Sequence, residues 1–111
     1  MKNFYTVVLE RMNEFSAGFE TEPYECPWAD EAMFFLRIHE ISGAGAALNA
    51  RVQVSVDGIH WLDEGTRFPT LEETGDSFIK VSHFGGWLRL ACDVSGDIPA
   101  LKLTMHLVLK G

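Results

Sequence analysis

Residues 48–56 read Leu-Asn-Ala-Arg-Val-Gln-Val-Ser-Val. Leu48, Ala50, Val52, Val54 and Val56 are apolar, and Asn49, Arg51, Gln53 and Ser55 between them are polar. Successive side chains of an extended chain point to opposite faces, so this spelling makes one face oily and the other wet, which predicts a half-buried strand. A helix would scatter the same residues around its circumference.

The rhythm recurs at Leu88, Leu90, Cys92 and Val94 on even positions, and at Leu101, Leu103, Met105, Leu107 and Leu109 on odd ones. Phe34, Leu36 and Ile38 alternate with Phe35, Arg37 and His39 in a stretch rich in aromatic and branched residues, again a strand. A helix is the competing reading there, because Asp30 suits an N-cap before Glu31 and Ala32. The period of 2 fits better. Tyr5, Val7 and Leu9 predict an N-terminal strand and Phe78 to Ser82 another, while Phe15 to Trp28, acidic and holding Pro23 and Pro27, predicts a long connection or an irregular edge strand. Glycine-rich punctuation separates the segments at Ser42-Gly43-Ala44-Gly45, Asp57-Gly58, Glu64-Gly65, Thr74-Gly75-Asp76, Gly85-Gly86 and Ser95-Gly96-Asp97. The expected fold is all-β, an antiparallel β-sandwich of jelly-roll-like form with seven or eight strands, residues 1–111 making one domain. Its core is expected from Leu36, Val52, Val54, Leu88, Leu90, Leu103 and Leu107.

The 111 residues, 47% hydrophobic and 23% charged, are enough for one core and bury roughly two thirds of the unfolded surface. The net charge of −7 repels phosphate backbones, which argues against nucleic acid as a partner. No apolar run is long enough to cross a bilayer, and Phe4 to Leu9 is too short for a signal-peptide core. The sequence therefore predicts no membrane insertion, no signal peptide and a cytoplasmic or virion location. The two cysteines are too few for a disulfide framework. Separate reduced thiols, Cys92 buried on an inward row and Cys26 in a loop beside Pro27, are the preferred reading over a single bridge.

Motifs for chemistry are sparse. His39, His60, His83 and His106 have no ligand spacing, and the runs Asp57, Asp63, Glu64 and Glu72, Glu73, Asp76 lack the alternation of a calcium loop. Gly43-Ala44-Gly45 lacks the lysine and the helix of a phosphate loop, and no G-x-S-x-G surrounds a serine. The reading is of a protein without catalytic residues, cofactor or metal. Asp57-Gly58 predicts a tight hairpin returning Trp61 beside Val54 to cover the inward row. The alternative makes His60, Trp61 and Trp87 a stacking platform for a sugar.

The order Ser42-Gly43, Leu48 to Val56, Ser55-Val56-Asp57-Gly58-Ile59-His60-Trp61, Phe68, Gly85-Gly86-Trp87-Leu88-Arg89-Leu90, Ser95-Gly96 and Leu101 to Leu109 resembles small β-sandwich structural proteins of tailed bacteriophages and prophages. The resemblance spans roughly residues 32 to 110. It implies a non-enzymatic virion component, of the capsid decoration or head-associated type, or a relative that assembles into a particle or filament. A second similarity, to discoidin-like carbohydrate-binding modules, rests on Ser-x-Asp-Gly-x-x-Trp and implies a carbohydrate partner. Physics adds a reason for self-association: the outward positions carry Val8, Phe35, Trp87 and Val108, more apolar area than a solvated face usually has. Phe15, Phe19, Tyr24 and Trp28 either fold back over a sheet or meet another subunit. The candidate contact residues are thus Phe15, Phe19, Tyr24, Trp28, Phe35, Trp87 and Val108, and the expected partners are further copies of the chain or a capsid protein.

Overall fold

The computed structural model describes residues 4–82, 84 and 86–111, so His83 and Gly85 lie outside the described residues. Among the described residues every regular element is a strand: β1 (Phe4–Phe15), β2 (Phe19–Glu20), β3 (Tyr24–Glu25), β4 (Glu31–Ser55), β5 (Leu62–Arg67), β6 (Gly75–Ser82) and β7 (Trp87–Lys110). They form one antiparallel sheet of seven strands. The segment starting at Glu31 is extended, so the helical alternative falls.

The 25-residue β4 and the 24-residue β7 pair along their whole length, from Glu31 opposite Lys110 to Ser55 opposite Trp87. The stretches Ser42 to Gly45 and Ser95 to Asp97, expected as turns, lie inside these strands and bend them without reversing them. The bend is demanded by size: a straight strand of that length would span about 80 Å, whereas the longest dimension of the molecule is 46 Å. The ribbon folds across its middle. One layer then holds β1, the second half of β7, the first half of β4 and β6. The other holds β2 and β3, the first half of β7, the second half of β4 and β5. Inward rows from both layers join in one core, with Phe34, Leu48, Val52, Leu88, Leu90, Leu103 and Met105 fully buried.

Bulges at the bend explain the parity of the sequence rows. Between Ile38 and Glu40, and again between Ala44 and Ala47, β4 carries one extra residue; between Ala100 and Asp97 the extra residue is on β7. Two insertions leave the inward row of β4 even on both sides, whereas one insertion flips that of β7 from even to odd. At the crossing the backbones nearly touch. A Cβ on Gly96 would lie 2.7 Å from the Ala46 Cα, and one on Gly43 would lie 2.8 Å from the Asp97 carbonyl oxygen.

The expected core residues are buried except Val54, which is half-buried. The outer end of that row also differs from expectation: β4 stops at Ser55, which is buried, and Val56 is exposed. Both cysteines are buried and unpaired, Cys26 included. Burial pushes the Cys26 thiol up to about 11 and the Cys92 thiol up to about 12, because a thiolate is costly away from water.

Candidate functional site

Val54 pairs with Leu62 and β4 ends at Ser55, so residues 56–61 form the connection and the expected two-residue hairpin is replaced by a longer loop. Its organiser is Asp57. The carboxylate accepts hydrogen bonds from the backbone N–H of Ile59 at 2.8 Å and of His60 at 2.9 Å, and from the Ser55 hydroxyl at 2.9 Å. His60 Nδ1 lies 2.8 Å from its second oxygen. These bonds, those from His60 foremost, hold the Asp57 carboxyl well below the usual carboxylate range. The Ser55 hydroxyl in turn accepts from the N–H of Gly58 at 2.9 Å. The loop is a closed set of local bonds.

The three residues of the sugar-platform alternative lie in and beside this loop. Trp87 lies against Gly58, where an added Cβ would come within 3.1 Å of the indole. Trp61, expected over the inward row, instead carries the Arg89 guanidinium 4.3 Å from its ring centre, a cation–π contact. Both indoles are half-buried, and His60 projects into solvent beside Asp57. One face of each indole is thus occupied by the protein itself. The outer surface of this layer continues as a polar lattice: Arg89 donates to Gln53 at 2.8 Å, Gln53 to Asp63 at 3.0 Å, and Arg51 binds Asp63 at 3.2 Å and Asp93 at 2.9 Å. Such a face is at home in water.

The outer face of the other layer has the opposite character. Strand register sets Phe78, Phe35, His106 and Val8 side by side across β6, β4, β7 and β1. Phe35 and Phe78 approach to 5.8 Å between ring centres. Met33 and Val108 are cross-strand partners in the next row. Phe78 is 54% exposed, Met12 53%, Val8 39% and Phe35 37%. Phe78, Met12 and Phe35, with Thr6, Thr104 and His106, line an open groove of about 710 Å³, which also holds Arg37 and Asp76, whose guanidinium and carboxylate meet at 2.6 Å. Met12 sits at a bulge of β1 with φ 51°, and its N–H donates to the Thr104 hydroxyl at 3.1 Å. Positive φ in a residue with a side chain costs roughly 1 to 3 kcal/mol. The conformation delivers an apolar side chain to the groove.

The seven candidate contact residues divide. Phe15 and Phe19 stack at 3.7 Å and pack on the core, as does Tyr24 opposite Leu88; these aromatics fold back over the sheet and are half-buried. Trp87 is held by the loop at Gly58. Val108 is buried at the floor of the groove, and Phe35 and Trp28 are exposed. Phe78 and Met12, not singled out from the sequence, belong to the same face. Phe78 was legible in principle, since Ile79 and Val81 form the inward row of β6 and Phe78 and Lys80 the outward one; nothing local announces Met12. Among the described residues no group of three or more metal-ligating side chains comes together, and no helix is long and apolar enough to cross a membrane.

No protein-family profile and no curated protein sequence matches the chain. Its fold is nonetheless found in solved structures. The SPBc2 prophage-derived protein YomS superposes with a TM-score of 0.63 at 9% identity, over 100% of this chain and 96% of that one. A chain of infectious bursal disease virus, Gx strain, gives 0.56 at 12% identity over 98% of this chain. A second chain, from the T13 viral particle of the same virus, gives 0.56 at 11% over 97%. This chain spans 32% and 31% of the length of those two. At such identities the likeness is one of fold: this chain is similar in architecture to a prophage-derived protein and to part of a virus-particle chain.

Proposed function

We propose that the chain is a non-enzymatic structural protein, a self-associating subunit or accessory of a phage-derived particle or filament, of the decoration or head-associated type. The observation that carries this reading is the apolar outer face on which Phe35, Phe78, Val8 and Met12 stand together in solvent. Contiguous exposed apolar area of this kind is expensive for a monomer and characteristic of a surface that another protein covers. The opposite face of the same sandwich carries a lattice of polar side chains, Arg51, Gln53, Asp63, Arg89 and Asp93, joined by hydrogen bonds and two ion pairs of Arg51, so the asymmetry is local and not a property of the composition. The fold shared with a prophage-derived protein and with a chain of a viral particle supports the same reading, as does a net charge of −7, which turns away nucleic acid. The partners are further copies of the chain or a capsid protein, and the location is the virion or the cytoplasm in which it is built.

Multi-angle light scattering on the purified chain at micromolar concentration, with electron microscopy for rings, filaments or shells, tests the reading. Self-association that weakens in Phe35→Asp is expected. A strictly monomeric wild type would overturn it.

A further inference from the structure

We infer that two copies of this chain join through β6, edge to edge and antiparallel about a two-fold axis at Phe78; the inference rests on the self-association proposed above and adds to its apolar face a specific contact along one sheet edge. The free edges of the sheet are not equivalent. Strand β1 is interrupted by two register shifts and by the positive φ of Met12. Strands β2 and β3 have two residues each, in a segment holding Pro23 and Pro27. Strand β5 is short and shifts register against β4. Bulges, prolines and brevity are the means by which sheets protect their edges from further pairing. Strand β6 has none of them. Its eight residues run opposite β4 in unbroken register from Gly75–Ile38 to Ser82–Glu31, and among the described residues it pairs with no other strand. Its outer edge offers a regular row of backbone donors and acceptors.

The side chains of β6 fit a second copy of themselves. On the outward face stand Asp76, Phe78 and Lys80, the carboxylate and the ammonium two residues to either side of the ring. An antiparallel pairing with Phe78 opposite its own counterpart sets Asp76 opposite the partner's Lys80, and Lys80 opposite the partner's Asp76. Opposite charges and aromatic rings directly across from one another are favourable cross-strand pairs, and a two-fold axis makes each occur twice. Phe35, beside Phe78 at 5.8 Å, extends the row, so that Phe35 and Phe78 of each copy form a line across an eight-stranded outer layer. Half-buried Ile79, on the inward row at the margin of the core, gains cover from the same union. The Asp76 carboxylate already holds Arg37 and keeps lone pairs for the lysine.

Charge exchange tests this. Lys80→Asp sets an introduced carboxylate against the partner's Asp76 in every pair of copies, and Asp76→Lys sets an introduced ammonium against the partner's Lys80. Each variant alone is expected to self-associate about tenfold or more weakly than wild type in sedimentation equilibrium, the effect of two like-charge contacts replacing two favourable ones. Mixing the two variants restores complementarity at both contacts: the introduced lysine faces the introduced aspartate at one, and the native Lys80 faces the native Asp76 at the other. Association of the mixture close to wild-type strength, with each variant alone weakened, is the expected result. Self-association of wild type that neither reversal weakens, or two weakened variants whose mixture is no stronger than either alone, would overturn β6 pairing while leaving the proposed function standing. A monomeric wild type would remove both.

Discussion

Replacing Gly96 by alanine probes the bend that makes one ribbon into two layers. Gly96 has φ 120°, and a Cβ there would lie 2.7 Å from the Ala46 Cα and 2.8 Å from its nitrogen. Carbon atoms in contact prefer about 3.5 to 4.0 Å, so the strands must part by most of an ångström at a point fixed by pairing on both sides. The backbone conformation alone costs roughly 1 to 3 kcal/mol in a residue with a side chain, and forcing an extra carbon into a packed site adds about 1 to 3. The sum is centred near ~4 kcal/mol, a large share of the ~5 to 15 kcal/mol that holds a typical domain folded. Gly65 supplies the control: its φ is 114° and nothing lies within 4 Å of its Cβ position. Gly65→Ala is therefore expected to lose only the conformational part. Urea unfolding followed by tryptophan fluorescence should show Gly96→Ala less stable than Gly65→Ala by about 1 to 3 kcal/mol. Equal losses would refute the reasoning, because the close crossing of β4 and β7 would then cost nothing to open.

Two further outcomes are expected of the folded chain. The depressed pKa of Asp57 means its loop bonds contribute stability above the unfolded carboxylate value of ~3.9 and lose it as pH falls toward the folded value. Asp57→Asn should accordingly flatten the acid limb of a plot of melting temperature against pH, and an unchanged limb would count against the organising role of this carboxylate. Cys26 and Cys92, buried and with thiols pushed up to about 11 and 12, should resist iodoacetamide at mildly alkaline pH in the native protein and react readily in urea; mass spectrometry showing rapid native alkylation of Cys92 would contradict its burial.

Strand identity is readable from the residues because a half-buried strand writes its two faces into alternate positions. Phe34 and Phe35 show where that reading has force: neighbours of identical chemistry, one fully buried and one exposed, are separated by period alone. The continuity of β4 and β7 is not readable. Gly43-Ala44-Gly45 and Ser95-Gly96-Asp97 serve equally in a reverse turn and in a bulge, and the choice is made by whether pairing resumes beyond them. Here it resumes from Leu48 opposite Val94 in one direction and from Ser42 opposite Ala100 in the other. The loop after Ser55 departs from expectation for a similar reason. Asp57-Gly58 suits a tight hairpin, but the serine and aspartate side chains take the backbone donors of a longer loop, and Arg89 on another strand draws Trp61 to the outer side.

The candidate face was half legible. Phe35 and Val8 declare themselves by alternation, whereas Phe15, Phe19 and Tyr24 look equally free in the sequence and pack on the core. By itself the order of residues determined that the chain is made of strands, which side of each is greasy, and that its field is acidic, since these follow from the period of an extended backbone and from summed charge. Only the tertiary structure decided that two strands run unbroken through the bend, that one outer face is wet and the other apolar, and that β6 is left as the regular open edge. Those outcomes depend on which distant segments meet, and hydrogen-bond pairing between residues far apart in the chain leaves no mark on either partner alone.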